Sequence, residues 1–138
     1  MSQKIVLMSS PEYFKVEYSI NPWMVPGTNV DLELAKDQWN GLKRTIEEAG
    51  AEVKVVPPNE NHPDLVFTAN SGIIRGNDVL IANFKFEERR GEEEIYIKWF
   101  KENEYNVSRI PPDYNFEGSG RCLCLWRLSS WIVWSKKR

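Results

Sequence analysis

The fold is decided by the stretch PDLVFTANSG, residues 63–72. Its apolar centre predicts a short buried strand over residues 65–67, which leads into small polar residues and a glycine. Asp64 and Asn70 then lie at opposite ends of that strand, where a scaffold usually presents ligand-binding groups. The same pattern also fits ordinary turn chemistry, because Asp, Asn, Ser and Gly all favour turns. Both interpretations stay open on these residues alone.

Length and composition indicate one soluble globular domain. The chain has 138 residues, of which 41% are hydrophobic and 28% are charged, and these values are typical of a domain with a real core. It lacks a signal-peptide pattern and any apolar run of about 18 residues, so we expect no spanning helix. The two cysteines, Cys122 and Cys124, are too few and too close for a disulfide framework. A reducing, cytoplasmic location is therefore expected.

Hydrophobic periodicity predicts two helices among short strands. Apolar residues at steps of three and four predict a helix over residues 32–49, with one buried stripe. Asn29 or Asp31 is suited to cap its start, and Gly50 to end it. A second helix is expected over residues 91–103, with glutamates at its N-terminus. The remaining elements are a long loop over 13–29, a hairpin turn at 76–78, and strands at 4–9, 52–56, 65–67, 73–74, 79–82 and 106–110.

Two segments that follow the helices resemble each other. EVKVVPPN at 52–59 matches NVSRIPPD at 106–113 in two apolar positions and both prolines, at an offset of 54 residues. Each copy leads into an aromatic stretch and a small-residue turn, VFTANSG in the first and NFEGSG in the second. This repeat predicts modules arranged around an axis, each directing a loop at a shared centre. The alternative is that two helix–strand units end alike by chance.

Four motifs together resemble the guanidino-group-modifying enzymes of the pentein superfamily. They are INPWM at 20–24, DLVFTANSG at 64–72, ERRGEE at 88–93 and FEGSG at 116–120. The superfamily includes arginine deiminase, dimethylarginine dimethylaminohydrolase, glycine amidinotransferase and the arginine dihydrolases, and FTAN is most similar to the dihydrolases. The resemblance implies an α/β fold, a propeller of five modules. Five modules at the observed offset need about 270 residues, so residues 1–120 correspond to about two and a half modules.

The resemblance also implies a site for a planar guanidinium. Such a cation has five N–H donors and needs oxygen acceptors around it. The implied acceptors are two carboxylates and two carboxamides, namely Asp64, Glu117, Asn21 and Asn70, with Glu117 as an orienting catalytic carboxylate. Arg89 or its neighbour Arg90 is suited to bind the substrate's α-carboxylate. On residue pattern alone, both arginines are also typical of a solvated helix face.

The reaction of this family implies groups that the sequence does not match. There a cysteine thiolate attacks the guanidinium carbon, with a histidine as acid–base partner, and no cofactor or metal is needed. The family positions of that cysteine and histidine fall in later modules. Cys122 and Cys124 lie in the wrong module, and His62, beside Pro63, is expected at the surface. We therefore expect no turnover of arginine, the implied small-molecule substrate, by these 138 residues alone.

Composition changes sharply at Gly120. Residues 1–120 have a net charge of −7, whereas residues 121–138 carry +5 with no acid and contain three of the six tryptophans. Arg121 stands where the family has an acidic residue, so we hypothesise that this basic, Trp-rich tail arises from a reading-frame change. Rival interpretations of the tail are weaker. Cys-x-Cys lacks further zinc ligands, polar residues interrupt any membrane-binding face, and the acid-rich body argues against nucleic acid.

The sequence therefore predicts the N-terminal part of an arginine or guanidino-compound hydrolase over residues 1–120, followed by an atypical tail. The deiminase, dihydrolase and amidinotransferase outcomes all stay open. The alternative function is a non-catalytic module that binds arginine or assembles with other copies. An incomplete ring of modules exposes strand edges and apolar faces, so we expect self-association.

Overall fold

A computed structural model describes residues 4–118 and the backbone of two further short strands. The chain divides into two compact units, residues 1–68 and 69–138. Along the chain, two 3-10 turns, Pro63–Val66 and Thr68–Asn70, lie next to the boundary between residues 68 and 69. The elements in chain order are β1 (Ile5–Ser9), α1 (Leu32–Glu48), β2 (Glu52–Val56), β3 (Gly72–Arg75), β4 (Asp78–Ile81), α2 (Glu87–Glu102), β5 (Asn106–Arg109), β6 (Cys122–Leu123) and β7 (Ile132–Val133).

The first unit is a parallel strand pair connected through a helix. β1 and β2 pair in parallel, with Ile5 opposite Glu52 and Ser9 opposite Val56. Asp31 caps α1, because its side chain accepts a hydrogen bond from the N–H of Leu34 at 2.9 Å. Gly50, with a φ of +86°, follows the end of the helix. These observations confirm the predicted first helix and the predicted strands at 4–9 and 52–56.

The apolar stripe of α1 is only half covered, so the prediction of a buried stripe was wrong. No residue of α1 is buried, and Leu42, which lies on the stripe, is 55% exposed. The sheet of this unit explains the difference. Two strands about 4.8 Å apart are narrower than a helix, which is about 10 Å across with its side chains. The helix therefore finds too little sheet to cover its apolar face.

Residues 63–70 form turns, so the predicted strand over residues 65–67 was wrong. The N–H of Leu65 donates to the carbonyl of His62 at 3.1 Å, and that of Phe67 donates to the carbonyl of Asp64 at 3.0 Å. Pro63 stands in the first turn, where its fixed φ suits a helical start. Leu65 is 1% exposed, so the predicted burial is correct. Asp64 and Asn70 therefore each lie in a 3-10 turn and not at the ends of a strand.

The second unit contains a three-stranded sheet in the order β3–β4–β5. β3 and β4 form an antiparallel hairpin around Gly76, which has a φ of +60°, and this confirms the predicted turn. β5 pairs in parallel with β4 after the crossover through α2. The helix begins at Glu87, four residues before the predicted start, and Gly91 lies inside it. The largest fully buried apolar side chains of this unit are Tyr96, Phe84, Phe100, Phe116, Ile81 and Val79.

The two repeated segments occupy matching places in the two units. β2 ends a parallel strand–helix–strand arrangement of β1, α1 and β2, and β5 ends the same arrangement of β4, α2 and β5. The α/β fold class is therefore confirmed. The described strands form separate sheets and close no barrel. Within the described part of the chain, neither helix is long and apolar enough to cross a membrane. Apart from the backbone of β6 and β7, the predictions on the tail lie outside the described residues.

Candidate functional site

The carboxamide of Asn70 lies at the centre of the candidate site in the second unit. Asn70 ends the 3-10 turn Thr68–Asn70, just before β3. Its Nδ2 donates to the backbone carbonyl of Glu117 at 3.3 Å, and its Oδ1 accepts from Nη1 of Arg89 at 3.1 Å. The structure therefore brings together three residues that the sequence singled out separately.

Arg89 is held in a buried ion pair on the inner face of α2. Its Nε and Nη2 donate to Oε1 and Oε2 of Glu92, both at 2.8 Å. The Arg89 side chain is 8% exposed and the Glu92 side chain 0%. The guanidinium carbon also lies 4.5 Å from the ring centroid of Phe84, a cation–π arrangement. The solvated-face interpretation is therefore wrong for Arg89. Two parallel charge-assisted bonds fix the plane of its guanidinium.

The segment before Gly118 is held close to Asn70 by the backbone. Phe116 forms an antiparallel bridge with Asn83, with N···O distances of 2.7 and 2.9 Å. Gly118 has a φ of +63°, and a Cβ placed there would overlap the carbonyl oxygen of Ala69 and lie 2.8 Å from Cα of Asn70. Only glycine permits this approach without strain. Gly118 of the FEGSG motif thus lets the chain pass close to Asn70, and the carbonyl of the preceding Glu117 can accept the Asn70 hydrogen bond.

The side chains of Glu117 and Arg90 form longer hydrogen bonds with backbone groups. Oε1 of Glu117 accepts from the N–H of Lys85 at 3.4 Å. Arg90 donates from Nε to the carbonyl of Phe84 at 3.3 Å and from Nη2 to that of Lys85 at 3.4 Å. Its side chain is 44% exposed. Arg90 is therefore the arginine of the ERRGEE motif whose guanidinium reaches solvent.

Two acidic neighbours on α2 were missed from the sequence. Glu92 could have been found, because a helical spacing of three places it beside Arg89. Glu93 accepts the N–H of Phe84 at 2.8 Å, and burial raises the pKa of its carboxyl above the usual 4.5, although the Phe84 N–H and the charge of Arg109 oppose this shift. Burial also raises the pKa of Tyr96 far above its usual range. No local sequence pattern predicts either pKa shift, because both depend on burial in the folded unit.

Asn21 and Asp64 belong to the first unit. Oδ1 of Asn21 accepts the N–H groups of Trp23 at 3.0 Å and Met24 at 3.1 Å, which turns the INPWM loop on itself. Asp64 is 3% exposed in the first 3-10 turn. His62 is half-buried, and burial lowers the pKa of its imidazole. Among the described residues, no group of three or more His, Cys, Asp or Glu side chains could hold a metal.

Known proteins are similar to this chain in sequence and in fold. A sequence model of the eukaryotic N,N dimethylarginine dimethylhydrolase family matches residues 21–123. An uncharacterised protein of Caenorhabditis elegans, ZK1307.1, is 41% identical over 136 residues, which cover 97% of this chain and 47% of that protein. The bifunctional arginine dihydrolase/ornithine cyclodeaminase ArgZ of Synechocystis is 42% identical over 119 residues, which cover 86% of this chain and 17% of ArgZ.

Solved structures give the same result. The crystal structure of an AgrE mutant in complex with L-arginine superposes with a TM-score of 0.81 at 40% identity, covering 89% of this chain and 18% of that chain. AgrE is the bifunctional arginine dihydrolase/ornithine cyclodeaminase of Nostoc. The present chain thus spans less than half the length of these relatives.

Fold and sequence therefore agree on the guanidino-group-modifying superfamily. Within it, the chain belongs to the N,N dimethylarginine dimethylhydrolase family.

Proposed function

We propose that this chain is the N-terminal part of a hydrolase that acts on the guanidino group of arginine or of a related compound. The observation that carries the proposal is the joint match, in sequence and in fold, to arginine dihydrolases. The whole protein would have the five-module propeller implied by the motifs. Its reaction would pass through an amidino group bound to cysteine and give ornithine or citrulline with ammonia.

The described residues of the second unit can contribute acceptors for a guanidinium. The Asn70 carboxamide offers an oxygen whose second lone pair can accept another N–H, beside the one from Arg89. Glu117 offers a carboxylate, whose charge makes hydrogen bonds to a cation stronger. An amide beside one carboxylate places less negative charge on the substrate than two carboxylates would. Asp64 keeps the role of acceptor that the resemblance implies for it.

Arg90, rather than Arg89, is suited to bind the substrate's α-carboxylate. All three guanidinium nitrogens of Arg89 already donate to Glu92 or Asn70 within the protein. Arg90 also donates from all three of its nitrogens, but its side chain is 44% exposed and its bonds are longer. They run to two backbone carbonyls and to the exposed carboxylate of Glu87, at 3.3 to 3.4 Å, and a substrate carboxylate could replace them. We assign Asn21 the role of holding its loop in shape, in place of substrate binding, because its carboxamide oxygen already accepts two backbone N–H groups.

The test combines a binding titration with a product assay on the 138-residue chain. We expect L-arginine to bind and Arg90→Ala to weaken the binding, whereas Arg75→Ala, an exposed arginine at the end of β3, should leave it unchanged. We expect no ornithine or citrulline above background, because no residue here matches the family's cysteine. Turnover would contradict the proposal that these residues are inactive alone, and failure of arginine to bind would contradict the proposed substrate.

One observation favours the second candidate, a module that assembles with other copies. Large apolar side chains of the first unit are exposed to solvent, since Trp23 is 86% exposed and Leu42 is 55% exposed. Apolar groups of this size favour association when they are contiguous. Light scattering over a range of concentrations tests this candidate, with Leu42→Lys expected to shift the chain toward the monomer. A wild-type chain that stays monomeric at high concentration would argue against it.

A further inference from the structure

We propose that Asn83 is a positioning residue that holds Glu117 where its carboxylate can accept a guanidinium. The inference deepens the proposed function and rests on it, because that function makes Glu117 one of the acceptors. Asn83 is the second residue after β4 and belongs to none of the four family motifs. Its side chain and its backbone both bind the segment that leads from β5 to Glu117.

The side chain of Asn83 holds a turn in that segment. Its Nδ2 donates to the carbonyl oxygens of Pro112 at 3.3 Å and Tyr114 at 2.5 Å, and the amide has one hydrogen for each. The turn is closed by the N–H of Tyr114, which donates to the carbonyl of Pro111 at 3.1 Å. Two residues of the turn are prolines without an N–H. Its carbonyls are therefore its main means of attachment, and they need a donor from outside the turn.

The backbone of Asn83 holds the next part of the segment. Its N–H donates to the carbonyl of Phe116 at 2.7 Å, and its carbonyl accepts the N–H of Phe116 at 2.9 Å. Phe116 is fully buried, and Glu117 follows it directly. Oε1 of Glu117 accepts the N–H of Lys85 at 3.4 Å. This bond is long for an N–H···O contact, so the position of the carboxylate also depends on the backbone that carries it.

Donor chemistry explains why a carboxamide suits position 83. An aspartate has a similar shape but only accepts when it is ionised, so its oxygens would face the carbonyls of Pro112 and Tyr114 without a hydrogen between them. An alanine keeps the backbone bridge to Phe116 and loses both side-chain bonds. Asn83→Ala would therefore hold this segment at one residue instead of three. We expect Glu117 to lose its fixed position in that variant.

A double-mutant cycle of Asn83→Ala and Glu117→Ala tests the proposal through the L-arginine affinity of the 138-residue chain. In the wild-type background we expect Asn83→Ala to weaken arginine binding about fivefold, as loss of a hydrogen bond does. In the Glu117→Ala background it should have no further effect, because no carboxylate remains to be positioned. Asn106→Ala is the matched control. It removes a side-chain hydrogen bond to Asp78 at the other end of β4 and should leave arginine affinity unchanged.

Relaxation of the Glu117 backbone amide, measured by nitrogen-15 NMR, separates this inference from the proposed function. We expect an order parameter of about 0.85 in the wild type and a value below about 0.6 in Asn83→Ala. A mobile Glu117 in the wild type overturns the inference even if the variant fails to fold, and so does an order parameter that Asn83→Ala leaves unchanged. Arginine affinity that Asn83→Ala leaves unchanged, or lowers equally in both backgrounds, also overturns it. A wild type with a rigid Glu117 that binds no arginine would instead overturn the proposed function.

Discussion

Arg89 and Glu92 lie one helical turn apart in α2 and form a bidentate ion pair that is almost completely removed from solvent. Both bonds measure 2.8 Å, and the relative exposures of the two residues are 7% and 0%. A buried pair of this kind is weak evidence for net stability, because desolvation offsets the attraction between the charges. Arg89 of this pair also donates to the Asn70 carboxamide, so the pair contacts a residue of the candidate site.

Removing the acid of this pair should destabilise the protein strongly. Glu92→Leu keeps much of the side-chain volume but leaves Arg89 buried without its fork, and such a change costs about 3–5 kcal/mol of the free energy of unfolding. Urea denaturation measures this. The control is Lys98→Ala on the same helix, because the Lys98 side chain is 77% exposed and lies 3.9 Å from Glu102. It should change stability by less than about 0.5 kcal/mol. Similar small effects from both changes would contradict the buried pair.

The glycine that lies against Asn70 should not tolerate a side chain. Gly118→Ala would force a Cβ into the backbone of Ala69 and Asn70 at a positive φ. We expect a loss of more than about 1 kcal/mol, because the left-handed conformation alone costs that much for a residue with a Cβ. Gly41→Ala is the matched control in α1, since no atom lies within 4 Å of the added Cβ. It should stabilise the protein by about 0.5–1 kcal/mol. If Gly118→Ala were neutral in urea denaturation, the close approach would be wrong.

Local signals in the sequence predicted much of the fold. The cap at Asp31 and the stop at Gly50 define α1, and Gly76 defines the hairpin, because each acts within a few residues of itself. The strand over residues 65–67 was wrong because three apolar residues fit a strand and a buried turn equally well. The early start of α2 was missed because Gly91, a residue that disfavours helix interiors, lies inside the helix.

The candidate site depends on contacts that no local pattern contains. Asn70 meets Arg89 and the Glu117 carbonyl across 19 and 47 residues of chain, respectively. The motifs could name these residues only through the family resemblance. The sequence could not say which arginine is buried, because ERRGEE places two arginines side by side and only the packing of α2 distinguishes them. The exposure of the α1 stripe likewise depends on the width of the sheet beneath it.

Glu93 should make the stability of the second unit depend on pH. Burial raises the pKa of its carboxyl in the folded state above 4.5. The folded chain then binds this proton more tightly than the unfolded chain, so the contribution of Glu93 to stability is full below pH 4.5 and declines as the pH rises above it. Glu93→Gln removes this dependence and can still accept the N–H of Phe84. The free energy of unfolding of this variant, relative to the wild type, should therefore increase from acid toward neutral pH.

Urea denaturation at several pH values measures this difference. Glu102→Gln removes a negative charge from an exposed position on the same helix and serves as the control. A relative stability of Glu93→Gln that stayed constant, or fell as the pH rose, would contradict the effect of burial on the Glu93 carboxyl.

The most direct test of the central claim is a calorimetric titration of the 138-residue chain with L-arginine and, separately, with L-lysine. Both ligands are cationic amino acids, but only arginine carries the planar guanidinium with five N–H donors that Asn70 and Glu117 are proposed to accept. We expect saturable binding of arginine, binding of lysine at least about tenfold weaker, and loss of that preference in Glu117→Gln. Equal binding of the two ligands, or no saturable binding of arginine, would contradict recognition of a guanidino group by these residues.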